Sequence, residues 1–104
     1  MQYQLRTYSF KSEAAAAAYK MIWVAHIESL KLFDIATLGV FTVPTDPLKV
    51  VALVSYADGV DIAEMTVRYM SSDAFKSDMA GFDGSQFAGV SEILLTPTAF
   101  SALQ

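Results

Sequence analysis

A single histidine and a single tryptophan lie close together in the segment WVAHIESLKLF, which covers residues 23–33. Among the side chains present, only that of His26 has an unperturbed pKa near neutrality, so it is the natural general base of the chain. It could accept a proton from an activated carbon or from a phenol if a ligand reached it. The alternative is a neutral core histidine that is hydrogen-bonded to a tyrosine, a serine or a backbone carbonyl.

Four aromatic side chains are the predicted ligand contacts: Tyr8, Tyr19, Trp23 and Tyr56. At about 100° per residue, Tyr19 shares the inward face of its helix with His26, and Trp23 flanks that face. Tyr56 could donate a hydrogen bond to an oxyanion that develops near His26, or it could simply pack within its strand.

Two arginines have less specific patterns. Arg6 and Tyr8 alternate on one face of the first predicted strand, so Arg6 either anchors an anionic ligand group or pairs across a dimer, and we favour the structural pair. Arg68 stands four residues after Glu64, a spacing that predicts an ion pair on the exposed side of a helix.

Composition excludes several kinds of site. The absence of cysteine excludes disulfides, thiolate nucleophiles and cysteine-ligated metals. One histidine with no carboxylate on the same helix face is not a metal-site pattern, and the glycine-rich segment GFDGSQFAG lacks the lysine of a phosphate-binding loop. We therefore predict no metal and no organic cofactor.

Charge and hydropathy argue against two classes of partner, nucleic acids and membranes. The net charge of -4 and the scattered basic residues argue against nucleic acid. Apolar runs such as VVALVSYA are far shorter than the roughly 20 residues that cross a bilayer, and MQYQLRTYSF does not open like a secretory signal. We expect a soluble, cytoplasmic protein that does not associate with membranes.

The elements that must position these residues follow from periodicity, caps and turn residues. Strands are predicted at residues 2–10, 34–43, 48–58 and 90–97, a long helix at 11–33 capped by Ser12, a second helix at 60–70, and a short helix at 71–79 capped by Ser71 or Ser72. The order β-α-β-β-α-β predicts an α+β, ferredoxin-like antiparallel sheet in a single domain over residues 1–104.

Helices can cover only one face of such a sheet. Both alternating sets of the strand at 48–58 are apolar, which is typical of strands that are covered on both sides. We therefore predict a homodimer in which residues 50–56 and 35–43 contact a second copy. The sequence is equally compatible with larger assemblies built from such dimers.

Several blocks of the sequence together resemble the NIPSNAP family of the dimeric α+β barrel superfamily. They are YQLRTYSF, GVFTV, VVALVSYAD, MSSDAFKSDM and EILLTP, and they cover essentially the whole chain. The resemblance implies a homodimer whose two sheets close into a barrel. Two departures are the alanine-rich start of the long helix and Phe75, where family members often carry tryptophan.

The resemblance implies little about activity, because relatives elsewhere in the superfamily include cofactor-free monooxygenases, haem-degrading enzymes, cyclases, isomerases and decarboxylases. From the residues, we predict binding of a small apolar or aromatic metabolite between helix and sheet, with His26 as base or hydrogen-bond partner. The alternative is a non-catalytic homodimeric interaction protein whose pocket is filled by its own side chains. A cavity of a few hundred Å³ that reaches His26 would favour the first hypothesis.

Overall fold

The structure, a computed structural model, describes residues 1–104. It contains four strands, three α-helices and one short 3-10 turn. In chain order the elements are β1 (Gln2–Phe10), α1 (Glu13–Lys31), β2 (Ala36–Val43), β3 (Asp46–Tyr56), α2 (Ile62–Met70), α3 (Asp73–Asp78), the 3-10 turn (Gly84–Gln86) and β4 (Phe87–Leu95).

The four strands form one antiparallel sheet in the order β2-β3-β1-β4. β1 therefore lies in the middle, paired with β3 on one side and with β4 on the other. The predicted α+β, ferredoxin-like fold is confirmed by this order.

The core lies between the helices and one face of the sheet. It combines even-numbered residues of β1 and β3 with the inward stripe of α1. The core members from these elements are Tyr8, Phe10, Val50, Ala52, Val54, Tyr56, Ala15, Ala16, Tyr19, Trp23 and Leu30. Burying one large apolar side chain of this kind contributes roughly 1.5–3 kcal/mol before the entropy of ordering it is subtracted.

Helix α1 begins and ends at residues with the expected chemistry. The hydroxyl of Ser12 accepts a hydrogen bond from the amide of Ala15 at 3.1 Å, which confirms the predicted N-cap. After the helix, Asp34 adopts a left-handed conformation (φ 59°), which reverses the chain so that Ile35 enters the core.

No helix combines the length and the apolar character that crossing a membrane requires.

The hairpin between β2 and β3 is tighter than predicted. We expected the two prolines at residues 44 and 47 to lie outside the strands, but β3 begins at Asp46 and includes Pro47. The register shifts between the pairs Thr42–Val50 and Val43–Asp46, so Pro47 lies where the regular ladder is interrupted and its missing N–H costs no strand pairing.

Strand β4 also begins earlier than predicted. The glycine content of residues 81–89 indicated a loop, yet the strand starts at Phe87 and Gly89 pairs with Ser9. One additional residue, Ala88, separates this pair from the pair Phe10–Phe87, which is the pattern of a β-bulge. Glycine is common next to a β-bulge, so Gly89 belongs to an irregular strand and not to a loop.

The predicted ion pair on α2 is wrong. No contact within ion-pair distance joins Arg68 to Glu64, and the first turn is stabilised instead by Asp61, whose carboxylate accepts the amide of Glu64 at 3.1 Å. Exposed pairs on one helix face gain only tenths of a kcal/mol, which is too little to fix two long side chains.

The sheet face away from the helices has no cover from α1, α2 or α3. We call this surface the open face, and its apolar members are Leu5, Phe41, Val51, Leu53, Ile93 and Leu95. At one end of it, the hydroxyl of Tyr3 donates to the carbonyl of Gln104 at 2.8 Å, so the tail after β4 folds back over Tyr3.

Candidate functional site

A cavity of about 350 Å³ lies between the helices and the half of the sheet formed by β1 and β4. Nine of its thirteen lining residues are hydrophobic. The lining consists of Arg6, Tyr8, Tyr19, Trp23, His26, Thr66, Tyr69, Met70, Phe75, Met79, Phe87, Val90 and Glu92. A mostly apolar cavity of this size with a few polar groups has the usual character of a small-molecule site.

His26 forms part of the cavity wall and is nevertheless only 2% exposed. Tyr19, Trp23 and His26 are spaced by four and three residues, so α1 presents all three on one stripe. The imidazole stacks on the ring of Phe75 (5.6 Å between centroids, 9° between planes) and meets the ring of Trp23 edge-on at 5.3 Å. These contacts fix the ring plane.

A carboxylate determines which ring nitrogen of His26 carries the proton. Nδ1 of His26 lies 2.8 Å from Oδ2 of Asp78, which is contributed by α3. Because an ionised carboxylate can only accept, Nδ1 carries the proton in the neutral ring. The lone pair is then on Nε2, which no protein group contacts at hydrogen-bond distance. The pair holds His26 in the tautomer that a general base requires.

Two hydroxyls complete this network. Ser29 donates to Oδ2 of Asp78 at 2.6 Å, and the hydroxyls of Ser29 and Tyr69 are 2.7 Å apart. The Tyr69 oxygen also lies 2.9 Å from Nδ1 of His26. With Nδ1 protonated, the consistent arrangement has Tyr69 donating to Ser29 and Ser29 donating to Asp78, so Nδ1 and both hydroxyls have partners.

Burial lowers the pKa of His26 below its ordinary value of 6.5, while Asp78 opposes this shift and Arg6 adds to it. The imidazole is therefore neutral at pH 7 and able to accept a proton. Burial also raises the pKa of Tyr69 to about 12, and it raises the pKa of Tyr19 further. Both phenols keep their protons at neutral pH.

The partner of His26 is not evident from the sequence. No carboxylate shares its face of α1, but Asp78 reaches the imidazole from a different helix, 52 positions further along the chain. The sequence does indicate part of the network. A tyrosine or a serine is among the predicted partners of His26, and Ser29 lies three residues after His26 on the inward face of α1.

The four predicted aromatic contacts separate into two groups. Tyr8, Tyr19 and Trp23 line the cavity, and Trp23 lies fully inside the core instead of flanking it. Tyr56 does not line the cavity, and its hydroxyl accepts a hydrogen bond from Nη2 of Arg6.

Arg6 lies on the helix side of the sheet, at the wall of the cavity. The open face is on the opposite side, so a guanidinium beneath the helices is out of reach of a second copy that covers the open face. This position does not favour the predicted pair of Arg6 across a dimer joined through the open face, and that pair stays a prediction. No group of three or more His, Asp or Glu side chains is arranged to hold a metal ion.

Comparison with solved structures places the chain among small proteins of the same fold. A NIPSNAP family protein with unknown function from Agrobacterium tumefaciens is 24% identical, with a TM-score of 0.79 over 100% of this chain and 94% of that chain. An uncharacterised NIPSNAP domain protein from Burkholderia xenovorans is 18% identical, with a TM-score of 0.75 over 97% and 98% of the two chains.

An antibiotic biosynthesis monooxygenase is more distant, at 13% identity and a TM-score of 0.64 over 94% of this chain and 99% of that chain. At these identities the likeness concerns the fold alone. Comparison with curated proteins finds no match. The NIPSNAP family model matches residues 3–102, and the chain therefore belongs to the NIPSNAP family.

Proposed function

We propose that this protein binds a compact apolar or aromatic metabolite in the cavity and that Nε2 of His26 accepts a proton from it. The observation that carries the proposal is a cavity of about 350 Å³ whose wall includes a buried, carboxylate-oriented histidine. An interior filled by the protein's own side chains, the alternative hypothesis, is not supported by a cavity of this volume.

The chemistry of the proposed step is a proton transfer. A C–H bond next to a carbonyl, or a phenolic O–H bond, breaks; the proton goes to Nε2 of His26, and the electron pair remains on the ligand as an enolate or a phenolate. Asp78 stabilises the imidazolium that forms and keeps its orientation. The apolar lining excludes water, which strengthens these electrostatic contacts.

The working form in this proposal is a homodimer joined through the open face. Support comes from the apolar residues of that face, among which Phe41, Ile93 and Leu95 are exposed in the single chain. Burying them against the same residues of a second copy would create an isologous interface, and the cavity on the helix side would remain accessible.

Solvent hydrogen exchange tests the proposed step directly. Phenylacetone is neutral, aromatic and enolisable, so a base in the cavity should accelerate exchange of its α-hydrogens in D₂O, measured by proton NMR. His26→Gln should lose at least about tenfold of this acceleration, because the amide cannot act as a base at neutral pH.

The control is Asp78→Asn, which keeps the base but loses the carboxylate that orients it, and should retain an intermediate rate. A thermal shift measured with the same compound reports binding separately from exchange. Equal exchange rates with and without the wild-type protein, together with no thermal shift, would contradict the proposal.

A further inference from the structure

Arg6 is a buried cation with no anionic partner. Its side chain is part of the cavity wall, and the residue is only 6% exposed. Nε donates to the amide oxygen of Gln4 at 2.8 Å, and Nη2 donates to the hydroxyl of Tyr56 at 2.5 Å. Nη1 lies 3.5 Å from the hydroxyl of Tyr8, at the limit of a hydrogen bond. All three oxygens belong to neutral groups.

A guanidinium keeps its charge at any ordinary pH, so it cannot become neutral on burial as a lysine or a histidine can. Burying a charge is costly unless an opposite charge compensates it. Arginine has five N–H donors and only three are used here. The site therefore has an uncompensated charge and spare donors.

Two carboxylates of the chain are near this site, and neither neutralises Arg6. Glu92 is opposite Arg6 in the strand register and belongs to the cavity lining, but it accepts a hydrogen bond from Gln4 at 3.2 Å and forms no ion pair with the guanidinium. Asp78 is already engaged with His26 and Ser29. The charge of Arg6 is left for a group that enters the cavity.

We propose that Arg6 binds an anionic group of the ligand, so that the ligand class is a compact aromatic or apolar carboxylic acid. The inference rests on the proposed function, because it concerns the same cavity. A planar guanidinium suits a carboxylate, which can accept two of its hydrogen bonds at once. The aromatic lining, including Tyr8, Trp23 and Phe87, suits the apolar remainder of the molecule.

A matched pair of probes separates charge from shape. Phenylacetate and phenylacetamide have nearly the same size, and they differ by one negative charge. In isothermal titration of the wild-type protein, phenylacetate should bind at least about tenfold more tightly, because a charge-assisted hydrogen bond is stronger than a neutral one.

Three variants locate the origin of that preference. Arg6→Gln should bind the two probes equally, whereas Arg6→Lys should keep part of the preference because it keeps the charge. Glu92→Gln should raise the affinity for phenylacetate more than that for phenylacetamide, because it removes a negative charge of the cavity wall that repels the anionic probe. If Arg6→Gln does not fold, Arg6→Lys takes its place: its preference for phenylacetate should be weaker than that of the wild-type protein, and an undiminished preference would overturn the assignment of Arg6.

Equal affinities of the wild-type protein for the two probes would overturn the assignment of Arg6 while leaving the cavity and His26 in place. Absence of binding by both probes would overturn the proposed function and this inference together.

Discussion

The imidazole of His26 is almost inaccessible to bulk water and at the same time faces a cavity. At the sequence level a core histidine and a site histidine are alternatives, but the structure shows a residue with features of both. Its contacts with Trp23, Phe75 and Asp78 are those of a core residue, while Nε2 has no protein partner. Stability and binding therefore have to be measured separately in any His26 variant.

Truncation of His26 should be destabilising. We expect His26→Ala to lower the free energy of unfolding by about 1–3 kcal/mol, because it enlarges the cavity and leaves the partly buried carboxylate of Asp78 without its ring partner. Val24 lies on the same helix and is 65% exposed, so Val24→Ala should change the free energy of unfolding by less than about 0.5 kcal/mol. Urea titration measures both, and an unchanged midpoint for His26→Ala would contradict the expectation.

The lowered pKa of His26 predicts a dependence of stability on pH. Between the folded pKa and about 6.5, the unfolded chain binds more protons at this residue than the folded chain does, so the free energy of unfolding rises with pH across that window. The contribution of neutral His26 to the free energy of unfolding is complete above about pH 6.5, and it is lost as the pH falls through the folded pKa of His26.

His26→Gln provides the comparison for this pH effect. Its amide can still donate to Asp78 but does not titrate, so wild-type stability should fall more steeply than that of the variant as the pH decreases below about 6.5. Urea titrations at matched protein concentration across this range give the two slopes. Parallel slopes would show that the folded pKa of His26 is not lowered.

At the scale of elements, the short helix α3 positions the site. In six residues it contributes Phe75, which stacks on His26, and Asp78, which binds it. A helix of this length is unstable alone and depends on its cap and its packing. The hydroxyl of Ser72 accepts the amide of Phe75 at 3.2 Å and donates to the carbonyl of Tyr69 at 2.6 Å, which joins α3 to α2.

Two neighbouring serines allow a matched test of this cap. Ser72→Ala should destabilise the protein by about 1 kcal/mol, because the N-cap of α3 is lost. Ser71→Ala removes only a hydroxyl that donates to the carbonyl of Val67 within α2, so it should be close to neutral. Thermal melts or urea titrations distinguish them, and equal effects would mean that the cap does not hold α3.

Local signals predicted the elements well, since the caps at Ser12 and Ser72 and the order of the strands are local or topological properties. The pairing of His26 with Asp78 was not predictable in this way, because it depends on how α3 packs on α1. The sequence periodicity of α1 shows which side faces inward, but not which residue of another helix it meets. Likewise, the strand positions of Pro47 and Gly89 depend on irregular register with their neighbours.

At the scale of the whole molecule, the open face predicts an assembly. We expect the wild-type protein to behave as twice its mass of 11.3 kDa in light scattering. Leu53→Lys, in the middle of that face, should reduce this to the mass of one chain because each copy would bury a charge without a partner. Leu32→Lys, 75% exposed at the end of α1, should leave the mass unchanged. A wild-type mass of one chain would contradict the homodimer.

The central position of β1 also has a consequence for how the chain folds. Tyr3 pairs with Leu95, so the sheet is completed only when segments from nearly opposite ends of the sequence meet. Such non-local pairing makes folding slow compared with that of helical proteins of the same size. Until β4 joins, one edge of β1 exposes unpaired N–H and C=O groups that a second unfolded chain can bind. Refolding yield should therefore fall as the protein concentration rises.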